Sequence, residues 1–333
     1  MTISPQKMSA VPELPVAGKI SVVIPTYNNA HFLPEALDSV FAQTFGDVEI
    51  IVVNDGSTDN TREVVRAYGR TLIYVEQENS GPARARNKGV SFARGEYVAF
   101  LDADDVWMPD KLEQQMGVFS LNQNAALVYS QVVEFDEVSR RESPPRPRQV
   151  YSGSLFDRLL IEGLIPLPSV IIKKSVIREV GGFDEGLFTA EDTNLWIKVA
   201  RKNEIVGIDK PLVRRRLHSG NISARLDINV GTLENLDRIV HLFPETAPYR
   251  YLPMKKAYIN RGMRLVQDYF HESHYERCHA TCRKLASILP FEKRVLLFWL
   301  VTLLPPSVID RLRKIRQPFW GSSSLTHNRP PSL

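Results

Sequence analysis

Carboxylates supply the first chemistry legible in this chain of 333 residues. Asp102, Asp104 and Asp105 follow one apolar run, Asp55 follows another, and Glu191 and Asp192 stand side by side further on. Hard divalent cations such as Mg2+ and Mn2+ take oxygen ligands, commonly one or two carboxylates completed by substrate phosphates. A carboxylate can also take a proton from an attacking hydroxyl as a general base. Arg84 and Arg86 lie early in an expected helix opened by Ser80-Gly81-Pro82. A helix N-terminus favours anions, so either arginine could add charge beside a phosphate. His218 closes a basic run that begins at Arg214. A last group, His271, His274, Cys278 and Cys282, falls on one helical stripe. At ~1.5 Å rise per residue the stripe spans roughly 16 Å, too far for one tetrahedral ion. The two cysteines therefore read as small core residues.

Strands and helices in alternation must position these groups. Residues 20–24 form an apolar, β-branched run ended by Pro25, which reads as a buried strand. A helix follows, with Pro34 in its first turn and Leu33, Ala36, Leu37, Val40 and Phe41 on one face. Residues 49–53 are a second strand, and Asn54-Asp55-Gly56-Ser57 turns the chain into a helix carrying Val64, Val65 and Tyr68. Residues 72–75 are a third strand. Pro82 opens the next helix, Gly95 closes it, and residues 97–101 are a fourth strand delivering the aspartates. This order implies an α/β fold, a Rossmann-like, mostly parallel sheet flanked by helices. Ligands of such sheets sit beyond the carboxyl ends of the strands, where Tyr27, Asp55 and Asp104 all lie. From Ala126 the alternation is less regular. Residues 140–149, with three prolines and four arginines, read as a mobile loop. Residues 169–172 and 211–215 read as strands, and 193–201 as a helix with Leu195, Trp196 and Val199 inward. The pattern from Asp227 onward is mainly helical.

Five segments in order carry a resemblance. They are Val23-Ile24-Pro25-Thr26-Tyr27-Asn28, Val52-Val53-Asn54-Asp55-Gly56-Ser57, Asn79-Ser80-Gly81-Pro82-Ala83-Arg84-Ala85-Arg86-Asn87, Leu101-Asp102-Ala103-Asp104-Asp105, and Gly181-Gly182-Phe183-Asp184-Glu185 followed by Glu191-Asp192. Together, over about residues 19–223, they resemble the family 2 glycosyltransferases, which have the GT-A fold and use nucleotide-diphosphate sugars. The resemblance implies that Asp104 contacts a divalent cation, Mg2+ or Mn2+, and that Asp102 faces the ribose or sugar of the donor. It implies that Asp55 accepts a hydrogen bond from the nucleotide base and that Tyr27 stacks on that base, with Pro25, two residues earlier, also expected to bind the donor. Asn54 replaces the usual first acidic residue of that turn. Arg84, ahead of Arg86, is expected near the diphosphate, and His218 near the pyrophosphate or metal, although Leu217 makes its spacing irregular. Asp192 is the expected general base of an inverting displacement, with Glu191 the fallback. The Gly181-Gly182 turn and Trp196 are expected to shape the acceptor pocket. Plainer readings stand beside these: helix caps for the acidic pairs, an Asp-Gly turn for Asp55, core packing for Tyr27, a surface loop for His218. UDP is the commonest donor nucleotide of the family, and a saccharide or lipid-linked acceptor in cell-surface polysaccharide or glycolipid synthesis is what the family suggests.

The remaining features bound the answer. Hydrophobic residues at 43% and charged residues at 24% suit a soluble globular chain. A net charge of +4 is too mild for a dedicated nucleic-acid binder. With so long a chain, two cysteines do not imply an oxidising compartment. The first strand leads into Pro25-Thr26-Tyr27-Asn28-Asn29, without the glycine-rich loop that a sugar-1-phosphate nucleotidyltransferase needs for its triphosphate. Walker A and G-x-G-x-x-G loops are also absent. A non-catalytic nucleotide-sugar-binding relative would be expected to lose Asp104 or Asp192, and both are present. The expected organisation is a flexible tail at 1–19, a nucleotide-sugar-binding half at 20–125, an acceptor-binding half at 126–226, a helical region at 227–320 and a disordered tail at 321–333. Residues 295–304 are apolar and end at Pro305-Pro306, about half the ~20 residues that span a bilayer. Arg311, Arg313, Lys314 and Arg316 follow. Interfacial insertion at an anionic membrane and a buried core helix both suit that pattern. A cytoplasmic protein, peripheral on the inner face of the membrane, is the resulting expectation.

Overall fold

The computed structural model describes residues 16–305 and 307–309, apart from 70, 71, 140, 219 and 221–226. The chain runs β1 (Val16–Thr26), α1 (Leu33–Phe41), β2 (Val48–Asn54), α2 (Thr61–Ala67), β3 (Ile73–Glu76), α3 (Pro82–Phe92) and β4 (Gly95–Phe100). It continues through β5 (Val106–Trp107), α4 (Lys111–Leu121), β6 (Ala125–Asp136), α5 (Phe156–Ile161), β7 (Ile171–Lys173), α6 (Lys174–Glu179) and α7 (Glu191–Ala200). The long β8 (Glu204–Leu217) and the helices α8 (Asp227–Leu242), α9 (Leu252–His271), α10 (Tyr275–Ile288) and α11 (Lys293–Val301) complete it. One eight-stranded sheet has the order β3-β2-β1-β4-β7-β6-β8-β5. β1 pairs in parallel with β2 and β4, β2 with β3, and β6 with β8, while β7 and β5 enter antiparallel.

Helices on both faces explain the composition of β1. Ile20, Val22 and Ile24 pack with Leu33, Ala36 and Leu37 of α1. Val23 points the other way, onto α3, where a side chain at Gly89 would stand 2.3 Å from Val23 Cγ1. A strand buried on both faces reads as a near-continuous apolar run, as parallel strands do; the buried Ser21 is the exception, and its hydroxyl donates to Glu49. The same rule hid β6 from the sequence reading, since its first nine residues are all buried and show no alternation.

Several boundaries differ from the sequence reading. β1 starts at Val16, so the last residues of the expected tail belong to the sheet, while 1–15 and 321–333 lie outside the described residues. α3 ends at Phe92, and Gly95 instead begins β4, where a side chain would meet Lys19 O at 2.5 Å. Residues 141–149 are not a loose loop. They return along β6, with Val132 N–H donating to Arg146 O and Arg146 N–H to Val132 O, both 2.7 Å, and Ser143 N–H to Glu134 O at 2.7 Å. α8 packs with the units before it, and the chain divides into two compact parts at Pro244/Glu245, later than the boundary at 227 that the helical pattern suggested. In the second part Cys278 and Cys282 are free thiols buried among α9 and α10, while His271 and His274 are exposed. This agrees with their reading as core residues.

Candidate functional site

Parallel pairing brings the carboxyl ends of β2, β1 and β4 side by side, so that Asn54, Thr26 and Asp102 lie along one edge. Asp55 is buried past β2 and accepts three hydrogen bonds, from Gln77 Nε2 (2.7 Å), Ser80 N–H (2.8 Å) and Gly81 N–H (2.9 Å). Its carboxylate thus ties down the loop that opens α3. Gly56 takes φ 77°, and a side chain there would stand 2.7 Å from Asn79 N, so both backbone and space require glycine. Asn54 caps the turn by accepting from Ser57 N–H at 2.9 Å, a role that an amide performs as well as a carboxylate. Asn28, at φ 54°, accepts from Thr58 N–H at 2.8 Å. Between these fixed points Tyr27 is 47% exposed. That removes the core-packing alternative for Tyr27; Pro25, two residues earlier, is half-buried within β1.

The centre of the site is Arg86. It is only 6% exposed, and it donates from Nη2 to Asp102 Oδ1 at 2.9 Å and from Nη1 to Glu191 Oε1 at 2.5 Å. One guanidinium therefore joins the strand-end aspartate to the first residue of α7. Arg84 points outward and pairs with Glu185 at 2.9 Å on the surface. Of the two arginines expected near the diphosphate, Arg86 is thus buried between carboxylates and Arg84 is at the surface. α7 begins at Glu191, and its cap is Ala190 in the left-handed conformation at φ 64°. Asp192 is thus a first-turn residue and not the cap. A non-glycine residue held in that region is strained and persists where surrounding structure imposes it. Asp192 accepts from Thr193 N–H at 2.5 Å and from its hydroxyl at 3.2 Å. Burial pushes the carboxyls of Glu191 and Asp192 upward, and the Arg86 charge opposes this. Glu191 is committed to Arg86, whereas Asp192 stands beside that pair without an arginine hydrogen bond of its own.

The β8 end supplies the other side. His218 Nε2 lies 2.9 Å from Asp104 Oδ2. Arg216, two residues earlier and so on the same side of the strand, is buried below it. Its backbone N–H donates to Asp105 Oδ1 (2.9 Å), its Nε to Asp104 O (3.0 Å) and its Nη2 to Glu35. The guanidinium lies over the rings of Phe32 (4.8 Å) and Phe135 (4.7 Å). Burial pushes the Asp105 carboxyl well up, with Asp104 and Asp102 adding to the effect. The sequence reading named His218 and Asp105 but gave no role to Arg216, Phe32 or Glu35; the run Arg214-Arg215-Arg216 was the available signal for Arg216. Among the described residues no three His, Cys, Asp or Glu side chains converge as a cation cage. The donor set here, the Asp104 carboxylate beside an imidazole, fits a cation that takes its remaining ligands from phosphates and water.

The Gly181-Gly182 turn is an anchor for this arrangement. Both glycines have positive φ, and a side chain at Gly182 would meet Asn87 Oδ1 at 2.7 Å. Asn87 of α3 brackets Phe183, accepting from its N–H and donating to its carbonyl, both 2.9 Å. Phe183 packs edge-on against Phe100 and Trp196. Trp196 is buried in that core and does not line an acceptor pocket, which corrects the expectation for it.

A sequence model described as Glycosyl transferase family 2 matches residues 21–180. TuaG of Bacillus subtilis, described as a putative teichuronic acid biosynthesis glycosyltransferase, is 30% identical over 213 residues, which cover 62% of this chain and 81% of TuaG. The chain belongs to glycosyltransferase family 2. An uncharacterised family relative from Rickettsia prowazekii is 35% identical over 204 residues, 60% of this chain, and the chain spans only 64% of that relative's length. Among solved structures, TarS of S. aureus in complex with UDP-GlcNAc matches with TM-score 0.60 at 20% identity, covering 89% of this chain and 92% of that one. The mannosyltransferase PcManGT of Pyrobaculum calidifontis, in complex with GDP-Man and Mn2+, matches with TM-score 0.60 at 18% identity, covering 93% and 90%. These likenesses establish the fold of this family 2 chain as the GT-A fold.

Proposed function

We propose that the protein is an inverting glycosyltransferase that moves a sugar from a nucleoside-diphosphate donor, a UDP-sugar, to a hydroxyl of a saccharide or lipid-linked acceptor. The observation that carries this reading is Arg86, which holds a donor-side carboxylate and the α7 terminus on one side chain beside Asp192. Tyr27 offers an exposed ring for the nucleotide base. Asp55, through its three hydrogen bonds, holds the loop edge against which the base rests. Asp102 turns toward ribose or sugar. A divalent cation held at Asp104, with His218 beside it, would offset the charge gathering on the departing diphosphate. Asp192 takes the proton of the acceptor hydroxyl as its oxygen bonds to the anomeric carbon and the bond to the diphosphate breaks. A single displacement of this kind inverts the anomeric centre. Glu191, neutralised by Arg86, is the poorer base.

Structural neighbours support the donor class: TarS is seen in complex with UDP-GlcNAc and PcManGT with GDP-Man and Mn2+. We place the work in cell-surface polysaccharide or glycolipid synthesis, on the cytoplasmic side of a membrane. Nucleotide release from a panel of nucleotide sugars, with Mg2+ or Mn2+, tests the reading. Asp104→Ala should lose both metal-dependent UDP binding in calorimetric titration and turnover. Unchanged affinity in that variant would sink the Asp104 assignment. Release of pyrophosphate from a nucleoside triphosphate and a sugar phosphate would favour a nucleotidyltransferase instead.

A further inference from the structure

The two compact parts of the chain carry opposite charge. Residues 1–244 contain 27 Lys and Arg against 32 Asp and Glu, whereas residues 245–333 contain 15 against 6. The mild overall charge therefore conceals a strongly basic C-terminal part and an acidic N-terminal one. Such asymmetry between halves of a chain points to an anionic surface as partner.

α11 gives that charge an apolar companion. Val295 and Phe298 face inward, and Phe298 packs edge-on against Phe270 of α9 at 5.9 Å. This satisfies the core-helix reading for one face only. On the other face Leu297 is 58% exposed and Leu300 61%. Leu303, in the turn that follows, is 61% exposed, and Phe291, just before the helix, is 92% exposed. Lys293 and Arg294 at its first turn are also exposed. Leu297 and Leu300 are three residues apart and project from one side of the helix. Large apolar groups clustered in this way on a surface mark an interaction site. No helix among the described residues is long and apolar enough to cross a membrane.

We propose that the outer face of α11, with Phe291 and Leu303 at its ends, docks flat onto an anionic lipid bilayer. The leucines and the phenylalanine enter the boundary between headgroups and acyl chains, and Lys293 and Arg294 meet the lipid phosphates and carboxylates. In the sequence Arg311, Arg313, Lys314 and Arg316 follow Leu303 by 8 to 13 residues. A helix that is apolar on one side and basic at its flank, in a part of the chain with 15 Lys and Arg against 6 Asp and Glu, suits an anionic lipid surface better than a like copy, which would set net positive charge against net positive charge. The inference does not depend on the donor chemistry, and its failure would leave the glycosyltransferase reading untouched.

Flotation of the full chain tests it, using vesicles of phosphatidylcholine alone and with about one third phosphatidylserine, a composition giving a strongly negative surface. The chain should float with the anionic vesicles at low salt, and much less with neutral vesicles or at high salt. Leu297→Ser, Leu300→Ser and Leu303→Ser together should weaken partitioning by about tenfold or more while leaving the melting temperature and donor-dependent nucleotide release unchanged. Should the triple variant melt early, Lys293→Glu with Arg294→Glu provides the second arm. Removing each cation should cost about fivefold in partitioning. No flotation of the intact chain with anionic vesicles at low salt would overturn the proposal. So would equal flotation of both variants. If the triple variant turned a dimer into a monomer in ultracentrifugation and vesicle binding was absent throughout, a second copy would be the occupant and the lipid proposal would be wrong.

Discussion

Arg86→Met separates the electrostatic role of Arg86 from its bulk, because methionine keeps a flexible stem of similar reach. Two charge-assisted hydrogen bonds are lost, at 2.9 Å to Asp102 and 2.5 Å to Glu191. Removing one partner of a buried ion pair typically costs about 3–5 kcal/mol, because the remaining charge is stranded. The Asp102 side chain is 32% exposed, so water screens its share, whereas Glu191 at 11% is nearly enclosed. The loss should therefore fall near the lower end, about 3 kcal/mol at pH 8. Its pH dependence follows from the direction of the shift. Burial raises Glu191 above its ordinary 4.5 and Arg86 pulls it back, so deleting Arg86 raises it further. A carboxyl raised in the folded state binds protons that the unfolded chain does not, and stability then falls as pH rises through the raised value. The deficit of the variant should shrink as pH drops from 8 to 5, by about 1.4 kcal/mol for each unit of additional shift. Urea unfolding of both proteins at pH 5, 6.5 and 8 measures this. A deficit under about 1 kcal/mol, or one equal at pH 5 and 8, would show that the guanidinium is not holding buried charge.

Three further outcomes are expected. Asp192→Asn should cut transfer by about 10²–10⁴-fold with UDP binding nearly unchanged; lost nucleotide binding, or product of retained configuration by NMR, would contradict its placement as base. Lys111 is fully buried, with Nζ 2.7 Å from Gln115 Oε1 and 4.0 Å above the Trp107 ring, and burial holds its amine well below 10.5. The unfolded chain then binds a proton that the folded one excludes, so stability is lost as pH falls from 10.5 through the lowered value. Lys111→Met should raise stability at pH 7 by about 1 kcal/mol and lose that advantage by pH 10.5; thermal melts showing a decrease at pH 7 would refute this. Replacing Arg140, Arg141, Arg146 and Arg148 with serine should raise acceptor KM by roughly tenfold, since exposed pairs contribute up to about 1 kcal/mol each, and leave donor KM alone. An equal rise in both constants would count against an acceptor role for that segment.

Much of this protein is written locally. Short β-branched runs that end at Pro25, Asn54 and Leu101 predict strands, and in a parallel sheet whatever follows them shares one edge. Tyr27, Asp55 and Asp102 to Asp105 were legible for that reason, as were the glycines whose positive φ a turn demands. The choice between Arg84 and Arg86 was not. They stand two residues apart on one helix, about 200° around its axis, so the position of the sheet beneath α3 alone decides which is buried. Trp196 looks the same in sequence whether it lines a pocket or fills a core, and packing on Phe183 settles it. β6 lost its alternation because both of its faces are covered, and residues 141–149 look free until β6 offers hydrogen-bond partners. His218 meets Asp104 across more than a hundred residues because β8 pairs with β5, directly after the aspartates. Local sequence sets the residue types that can bind phosphate, metal or proton. Which of them meet is decided by long-range strand pairing and by the face each helix turns to the sheet, and no single segment contains that information.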